Sequence, residues 1–421
     1  MLKGPLERRF YPTPPHPEFP RSEFDARIDH IKKLMERDNI DVLVCWDSRN
    51  IRYFTGFFSA HWDAWSIQPA VCVIPREKEP ILVIPGFFNG VAEGMTYVND
   101  IRAQEDPHLT ERIRELPIDV AQLIKDLGQG NGRIGYEGGR LGGMGIPRPA
   151  NDILEFQAAL KDAAHVPAGD LIWECRIIKS TAEIEAISVA TESVVEALGE
   201  LVANFRVGMT EREVGILMMK KALEKAHDLG TFNMRCSQTR YPMVDTPPIF
   251  DAVPICKGDR MVLELLPTYK GYRGSCCRVF QVGELSKEAR SSVDIVEAGQ
   301  SAAIDAICAG VTTGTISGAV QKVFHDAGLN IEIEMVGHGV GLTGHEPPML
   351  TAREETELQE GMVLAVEVWK YDVAGFEYGD SKQASKNLGP FGNEDLVVVT
   401  RGGCDRLPAF RKDILSLPYN P

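Results

Sequence analysis

Three short segments in the second half of the chain carry residue types that could perform chemistry. His338 lies between two glycines, which let backbone or substrate approach its imidazole closely. His345 follows seven residues later in a loop stiffened by two prolines, and Glu367 puts a carboxylate inside the apolar run 362–368. Imidazole and carboxylate groups together serve in proton transfer and in divalent-metal binding.

Each of these residues also has an ordinary structural explanation. A lone histidine beside glycine is commonly a hydrogen-bonded structural residue, and a glutamate in a strand often faces solvent. Glu367 is the exception, because an unpaired charge in a buried strand is costly and requires a cation, a hydrogen-bond donor or a proton. Glu394 gives a weaker signal of the same kind, since with Asp395 it opens the apolar run 396–400.

The first half of the chain alternates between helical and strand patterns. Apolar residues recur at helical spacing from residue 24 to residue 34, and the run 40–45 is typical of a buried strand. Further strands are predicted at 70–74, 81–84 and 133–136, with a helix at about 109–127. This alternation predicts an α/β domain over residues 1–175. Residues 1–20, which are rich in proline, are expected to form an extended arm.

The second half predicts a different domain over residues 176–421. Two capping boxes, Ser180 with Glu183 and Thr210 with Glu213, mark the starts of two helices. A similar helix pair is predicted at about 286–309 and 314–327, with strands after each pair. The repeated order of helix pair and strands predicts an internally duplicated α+β domain.

Composition narrows the class of protein. The formal net charge of −15 argues against a nucleic-acid partner, because phosphates would be repelled. No apolar run approaches the roughly 18 residues of a membrane span. The nine cysteines lack CxxC spacing, which fits reduced thiols in a cytoplasmic protein. A small molecule or short peptide is therefore the expected substrate.

Taken together, the site segments resemble those of the pita-bread hydrolases, which include methionine aminopeptidase, aminopeptidase P, prolidase and creatinase. The order GHGxG, HExP, strand glutamate and Glu-Asp carries the resemblance. The run 50–56 and the pattern Arg176-x-x-Lys179-Ser180-x-x-Glu183 extend it over most of the chain. The resemblance implies a pita-bread C-terminal domain and a hydrolase that cleaves a C–N bond.

The resemblance also indicates where metal ligands would lie. The family's metallopeptidases hold two metals with two Asp, one His and two Glu. By similarity His338, Glu367 and Glu394 take the last three positions. The Asp positions fall on Glu264 and Ser275, and a neutral serine is a poor substitute for a bridging carboxylate.

Creatinase resembles this chain in lacking both aspartates, and it works without metal. We therefore expect a site without a metal, in which these carboxylates hold a polar substrate and Glu264 and Ser275 also contact it. The alternative is one divalent metal (Mn, Fe or Zn) on His338, Glu367 and Glu394.

The family uses a further histidine upstream of the strand hairpin to move protons, and this chain has none there. The equivalent place lies near Asp245, which could serve as a general acid or base in a desolvated setting. A solvated aspartate before a proline turn explains it equally well. His345 is then the best remaining proton shuttle, because only histidine titrates near pH 7 unaided.

A tryptophan-rich loop in the first domain bears on substrate and assembly. It contains His61, Trp62 and Trp65. In creatinase-like dimers this loop reaches the partner's site, so the resemblance implies a homodimer in which these residues contact substrate. The tryptophans could form a wall over a methylated ammonium group. Ordinary packing at an interface explains them equally.

We therefore predict a creatinase-like hydrolase that acts on a small polar amide, amidine or N-methylated amino-acid derivative. One alternative is a Xaa-Pro-type metallopeptidase with a mononuclear site. Others are a lyase on the same fold and a non-catalytic binding module. Two histidines and two site glutamates argue against the binding module, which would gain nothing from them.

Overall fold

The computed structural model describes most of the chain as two compact units, Met1–Arg176 and Ile177–Pro421. The described residues are 2, 4–5, 7–59, 69–104, 109–139, 148–235, 254–329, 332–333, 335–372, 389–412 and 416–417.

The first unit contains a mixed six-stranded sheet. Its strands are β1 (Val42–Cys45), β2 (Val71–Pro75), β3 (Ile81–Pro85), β4 (Asp100–Gln104), β5 (Arg133–Tyr136) and β6 (Ala164–Pro167), in the order β4-β3-β2-β1-β5-β6. Its helices are α1 (Arg21–Arg37), α2 (Ser48–Thr55), α3 (Asn89–Met95), α4 (Leu109–Asp126), α5 (Ala150–Ala159) and α6 (Gly169–Ile177). Strands β1 to β3 are buried along their whole length, as expected of a sheet covered on both faces. The predicted α/β class is confirmed.

A buried carboxylate joins β5 to the start of α2. Glu137 accepts hydrogen bonds from the backbone N–H of Trp46 (2.6 Å) and Asp47 (2.9 Å) and from Nδ2 of Asn50 (2.6 Å). Burial, and then the charge of Asp47, raise the pKa of Glu137 to about 8 in spite of these donors.

Glu137 should make stability depend on pH. Above its ordinary pKa of 4.5 the unfolded carboxyl loses a proton that the folded unit keeps until about pH 8. The free energy of unfolding should therefore fall by about 1.4 kcal/mol per pH unit as pH rises through this window. Urea unfolding of the parent and of Glu137→Gln from about pH 5 to about pH 8 measures this. Equal slopes in the two proteins would contradict the assignment to Glu137.

The second unit contains a ten-stranded sheet. Its strands are β7 (Asp228–Arg235), β8 (Arg260–Tyr269), β9 (Tyr272–Arg273), β10 (Arg278–Val282), β11 (Gly337–Gly339), β12 (Glu346–Met349), β13 (Val363–Asp372), β14 (Gly389–Thr400), β15 (Gly403–Arg406) and β16 (Ser416–Leu417). The main order is β12-β11-β13-β14-β10-β8-β7, with β15 beside β14, β16 beside β10 and β9 beside β8.

Two helix pairs cover this sheet. They are α7 (Thr181–Asn204) with α8 (Glu211–Ala222), and α9 (Lys287–Ala306) with α10 (Thr313–Asp326). Both predicted capping boxes are formed, so α7 and α8 begin where their sequences indicate. The first pair forms an apolar core with β8 and β10, and the second forms one with β13 and β14. The predicted α+β class is confirmed.

Among the described residues, no helix combines the length and apolarity that a membrane span requires.

Candidate active site

Two carboxylates lie side by side on the face of the second sheet that points away from α9. Val366 and Val368 of β13 pack into the helix-side core, and successive side chains of a strand alternate between faces. Glu367 therefore points to the opposite face. Glu394 of β14 is its direct partner across the ladder, so the two side chains project together.

His338 approaches these carboxylates from the neighbouring strand. It is the central residue of β11, which pairs with β13, and it is buried. Its Nε2 lies 3.5 Å from Oε1 of Glu367, and its Nδ1 lies 3.0 Å from the carbonyl oxygen of Gly339. Since a carbonyl only accepts, this contact favours a proton on Nδ1, which leaves the lone pair on Nε2.

The electrostatic surroundings keep His338 neutral. Burial lowers the pKa of His338 more than the charge of Glu367 raises it, and His345 lowers it further. The neutral imidazole is the form that binds a metal ion. The lone pair on Nε2 of His338 faces Oε1 of Glu367 at 3.5 Å. A cation between these two atoms would interact favourably with both.

His345 stacks on His338 at the exposed side of the site. The ring centroids are 3.8 Å apart with 25° between the planes. The loop that carries His345 is anchored by Glu346, which accepts from the backbone N–H of Thr343 (3.0 Å) and forms a buried ion pair with Lys179 (3.4 Å). His345 itself is exposed to solvent.

Glu394 is the most deeply buried acid of the site. Burial raises its pKa well above the ordinary value, and the charges of Glu264 and Glu367 raise it further. Ser275 opposes this shift by donating a hydrogen bond from Oγ to Oε2 of Glu394 at 2.8 Å. Three carboxyl groups thus concentrate negative charge in a sheltered place, which favours a proton or a bound cation there.

The donor set fits one divalent cation. A nitrogen of His338, a nitrogen of His345 and an oxygen of Glu367 lie within 4.8 Å of one another. A ligating imidazole must have the ion in its ring plane, and two nearly parallel stacked rings cannot both satisfy this. Only one of the two imidazoles can therefore join Glu367 on an ion, and His338, which lies in β11 beside β13, is the better placed of the two.

Most of the residues predicted for the site converge in the structure. Those brought together are His338, His345, Glu367, Glu394, Glu264 and Ser275. The other four predicted residues, Asp245, His61, Trp62 and Trp65, lie outside the described residues.

Trp369 also contacts the site, although it was not predicted from the sequence. Nε1 of Trp369 donates a hydrogen bond to Oε2 of Glu367 at 3.0 Å. The signal was present in the sequence, because a residue two positions along a strand lies on the same face.

Both halves of the chain match known protein families. Residues 185–401 match the metallopeptidase family M24, and residues 27–178 match the creatinase/prolidase N-terminal domain. The Xaa-Pro dipeptidase of Pyrococcus furiosus is 28% identical over 252 residues, which cover 58% of this chain and 67% of that protein. The Xaa-Pro dipeptidase of Lactobacillus delbrueckii subsp. lactis is 22% identical over 407 residues, which cover 93% and 99% of the two chains.

Solved structures agree with the fold. The X-Pro aminopeptidase of Thermotoga maritima superposes with a TM-score of 0.74 at 21% identity and covers 92% of this chain and 99% of its own. The prolidase of Pyrococcus horikoshii gives 0.73 at 20% identity, with 92% and 99% covered. The pita-bread fold expected for the second domain is confirmed.

The expectation of a site without metal is wrong. The matched C-terminal family is one of metallopeptidases, and the related Xaa-Pro dipeptidases belong with it. That expectation followed from the likeness to creatinase, which also lacks both aspartates, at the positions held here by Glu264 and Ser275. However, replacing one anionic ligand does not remove the charge that Glu264, Glu367 and Glu394 still concentrate beside His338.

Proposed function

Since the chain belongs to the metallopeptidase family M24, we propose that it is a Xaa-Pro-type dipeptidase with one divalent metal on His338, Glu367 and Glu394. The observation that carries the proposal is the approach of the neutral His338 to the paired carboxylates, with Nε2 3.5 Å from Oε1 of Glu367. The names of the relatives support a peptidase rather than a creatinase.

The residues divide the work between binding and proton transfer. When bound, a divalent cation supplies Lewis-acid activation of a carbonyl group and of a water molecule. His338, Glu367 and Glu394 would hold it. His345 is exposed and stacked on His338, so it can pass a proton between solvent and the leaving nitrogen.

A single metal is favoured by the chemistry of Ser275. Its hydroxyl donates to Glu394 and brings no charge of its own. A second cation would find fewer anionic oxygens than the two-metal pattern provides. The homodimer expected from the resemblance remains part of the proposal, and so does the cytoplasmic location.

Chelation tests the metal. Exhaustive dialysis against a chelator should lower hydrolysis of Ala-Pro by at least about 100-fold, because the cation contributes several kcal/mol of transition-state stabilisation. Addition of Mn²⁺, Fe²⁺ or Zn²⁺ to about one ion per chain should restore it. Elemental analysis and product release measure the two effects.

Two results would count against this function. Full activity after chelation would remove the metal from the mechanism. Hydrolysis of guanidino acids or N-methylated amides in preference to Ala-Pro would restore the creatinase-type alternative.

A further inference from the structure

The two oxygens of Glu367 have different partners. Oε1 faces Nε2 of His338 at 3.5 Å, whereas Oε2 accepts the indole N–H of Trp369 at 3.0 Å. An N–H donor to a carboxylate forms a charge-assisted hydrogen bond, which is stronger and more directional than a neutral one. The indole N–H of Trp369 therefore fixes the rotation of the Glu367 carboxylate about the Cγ–Cδ bond.

Packing holds the indole of Trp369 in place. Trp369 pairs with Gly392 across the β13–β14 ladder, and a Cβ atom at residue 392 would overlap the indole ring. The ring packs on the apolar cluster of Val262, Cys277 and Val279. On another side lies Tyr371, whose ring is nearly parallel, at 5.8 Å between centroids and 10° between planes. The packing of the folded unit thus holds the indole N–H of Trp369 in position without a bound ligand.

We infer that Trp369 is a positioning residue for the metal-binding carboxylate Glu367. Its hydrogen bond turns Oε2 toward the indole and so directs Oε1 toward His338 and the place of a cation. Ser275 does the same for Glu394, whose Oε2 accepts its hydroxyl. Each carboxylate is thus oriented by one neutral donor. This inference rests on the proposed function, because it assumes that these groups bind a metal.

The experiment uses Trp369→Phe, which keeps an aromatic ring and removes the donor. The matched control is Trp173→Phe, which removes a buried indole from the first unit. Mn²⁺ is titrated into metal-free full-length protein, with affinity measured by calorimetry and with tryptophan fluorescence as a second signal. Loss of a partner that orients a ligand typically weakens metal binding about 10–100-fold.

We expect Mn²⁺ to bind the parent and Trp173→Phe equally and to quench part of their fluorescence. In Trp369→Phe the affinity should fall about 10–100-fold and that quenching should disappear. Gly392→Ala, which displaces the indole without removing its N–H, should weaken Mn²⁺ binding in the same direction. This second variant keeps the test valid if Trp369→Phe folds poorly by circular dichroism.

Unchanged Mn²⁺ affinity in both variants would overturn the inference, and so would a parent that binds no Mn²⁺. The proposed function fails separately. If the Mn²⁺ affinity of the protein depends on Trp369 but the parent does not cleave Ala-Pro, the positioning role stands and the proposed dipeptidase function is excluded. Conversely, the parent could cleave Ala-Pro while both variants bind Mn²⁺ as tightly as the parent does. That result would keep the proposed function and exclude this role for Trp369.

Discussion

Replacing Glu367 by glutamine should lower kcat/KM for Ala-Pro on the order of 10³-fold. The substitution keeps the size of the side chain and an oxygen that can accept from Trp369. It removes the negative charge next to His338, so a cation should bind more weakly there. Such a cation stabilises the transition state by several kcal/mol. Steady-state kinetics with saturating Mn²⁺ measure the loss, and calorimetry reports the accompanying fall in Mn²⁺ affinity.

The matched control is Glu360→Gln. Glu360 precedes the same strand and pairs with Arg401 at 2.8 Å on the surface, where ion pairs contribute little. Its kinetics should stay within about twofold of the parent. Metal-free Glu367→Gln should also fold at least as stably as the parent, because the charge of Glu367 is one that raises the pKa of Glu394. Parent-like turnover in Glu367→Gln would exclude this carboxylate from the site.

Local sequence signals predicted the framework that carries the site. The capping boxes at Ser180 and Thr210 set the first turns of α7 and α8 with residues only three positions apart. The apolar runs around Glu367 and Glu394 likewise predicted strands, because burial along β13 and β14 needs a continuous stretch of apolar residues. Both signals are local, so they can be read without knowing the tertiary contacts.

The relations that decide the chemistry depend on pairing between distant segments. The contact from Ser275 to Glu394 requires β10 and β14 to be neighbours, and the space for the indole of Trp369 requires Gly392 opposite it. A register slip of one residue in β14 would move Glu394 to the other face of the sheet and Gly392 away from the indole. These contacts therefore follow from strand order and register, which periodicity alone does not determine.

The error about the metal has a related cause. The metal-free site was expected because this chain, like creatinase, lacks both aspartates of the two-metal pattern. In the folded unit, the charge depends on how closely Glu264, Glu367 and Glu394 approach one another. Their mutual repulsion under burial persists whichever residue occupies position 275. A neutral serine therefore changes how many cations the site suits more than whether it needs one.

Replacing Ser275 by aspartate should raise the metal content from about one to about two ions per chain. Oγ of Ser275 lies 2.8 Å from Oε2 of Glu394, so the new carboxylate would face an existing one in a buried place. Without metal, the two acids must share a proton or repel each other, and the variant should lose about 2–4 kcal/mol of stability. Added Mn²⁺ should recover that loss, because the new oxygen then becomes a ligand.

Ser275→Asn separates charge from size. It has nearly the same shape as Ser275→Asp but cannot supply an anionic oxygen, so its metal content should stay near that of the parent. Metal content by elemental analysis and melting temperature with and without Mn²⁺ distinguish the two variants. If Ser275→Asp gains no metal while remaining folded, the surrounding ligands no longer have the spacing for a second ion. The arrangement of the whole pocket would then limit the site to one metal ion, including the orientation of the carboxylates by neutral donors. Residue 275 alone would not determine it.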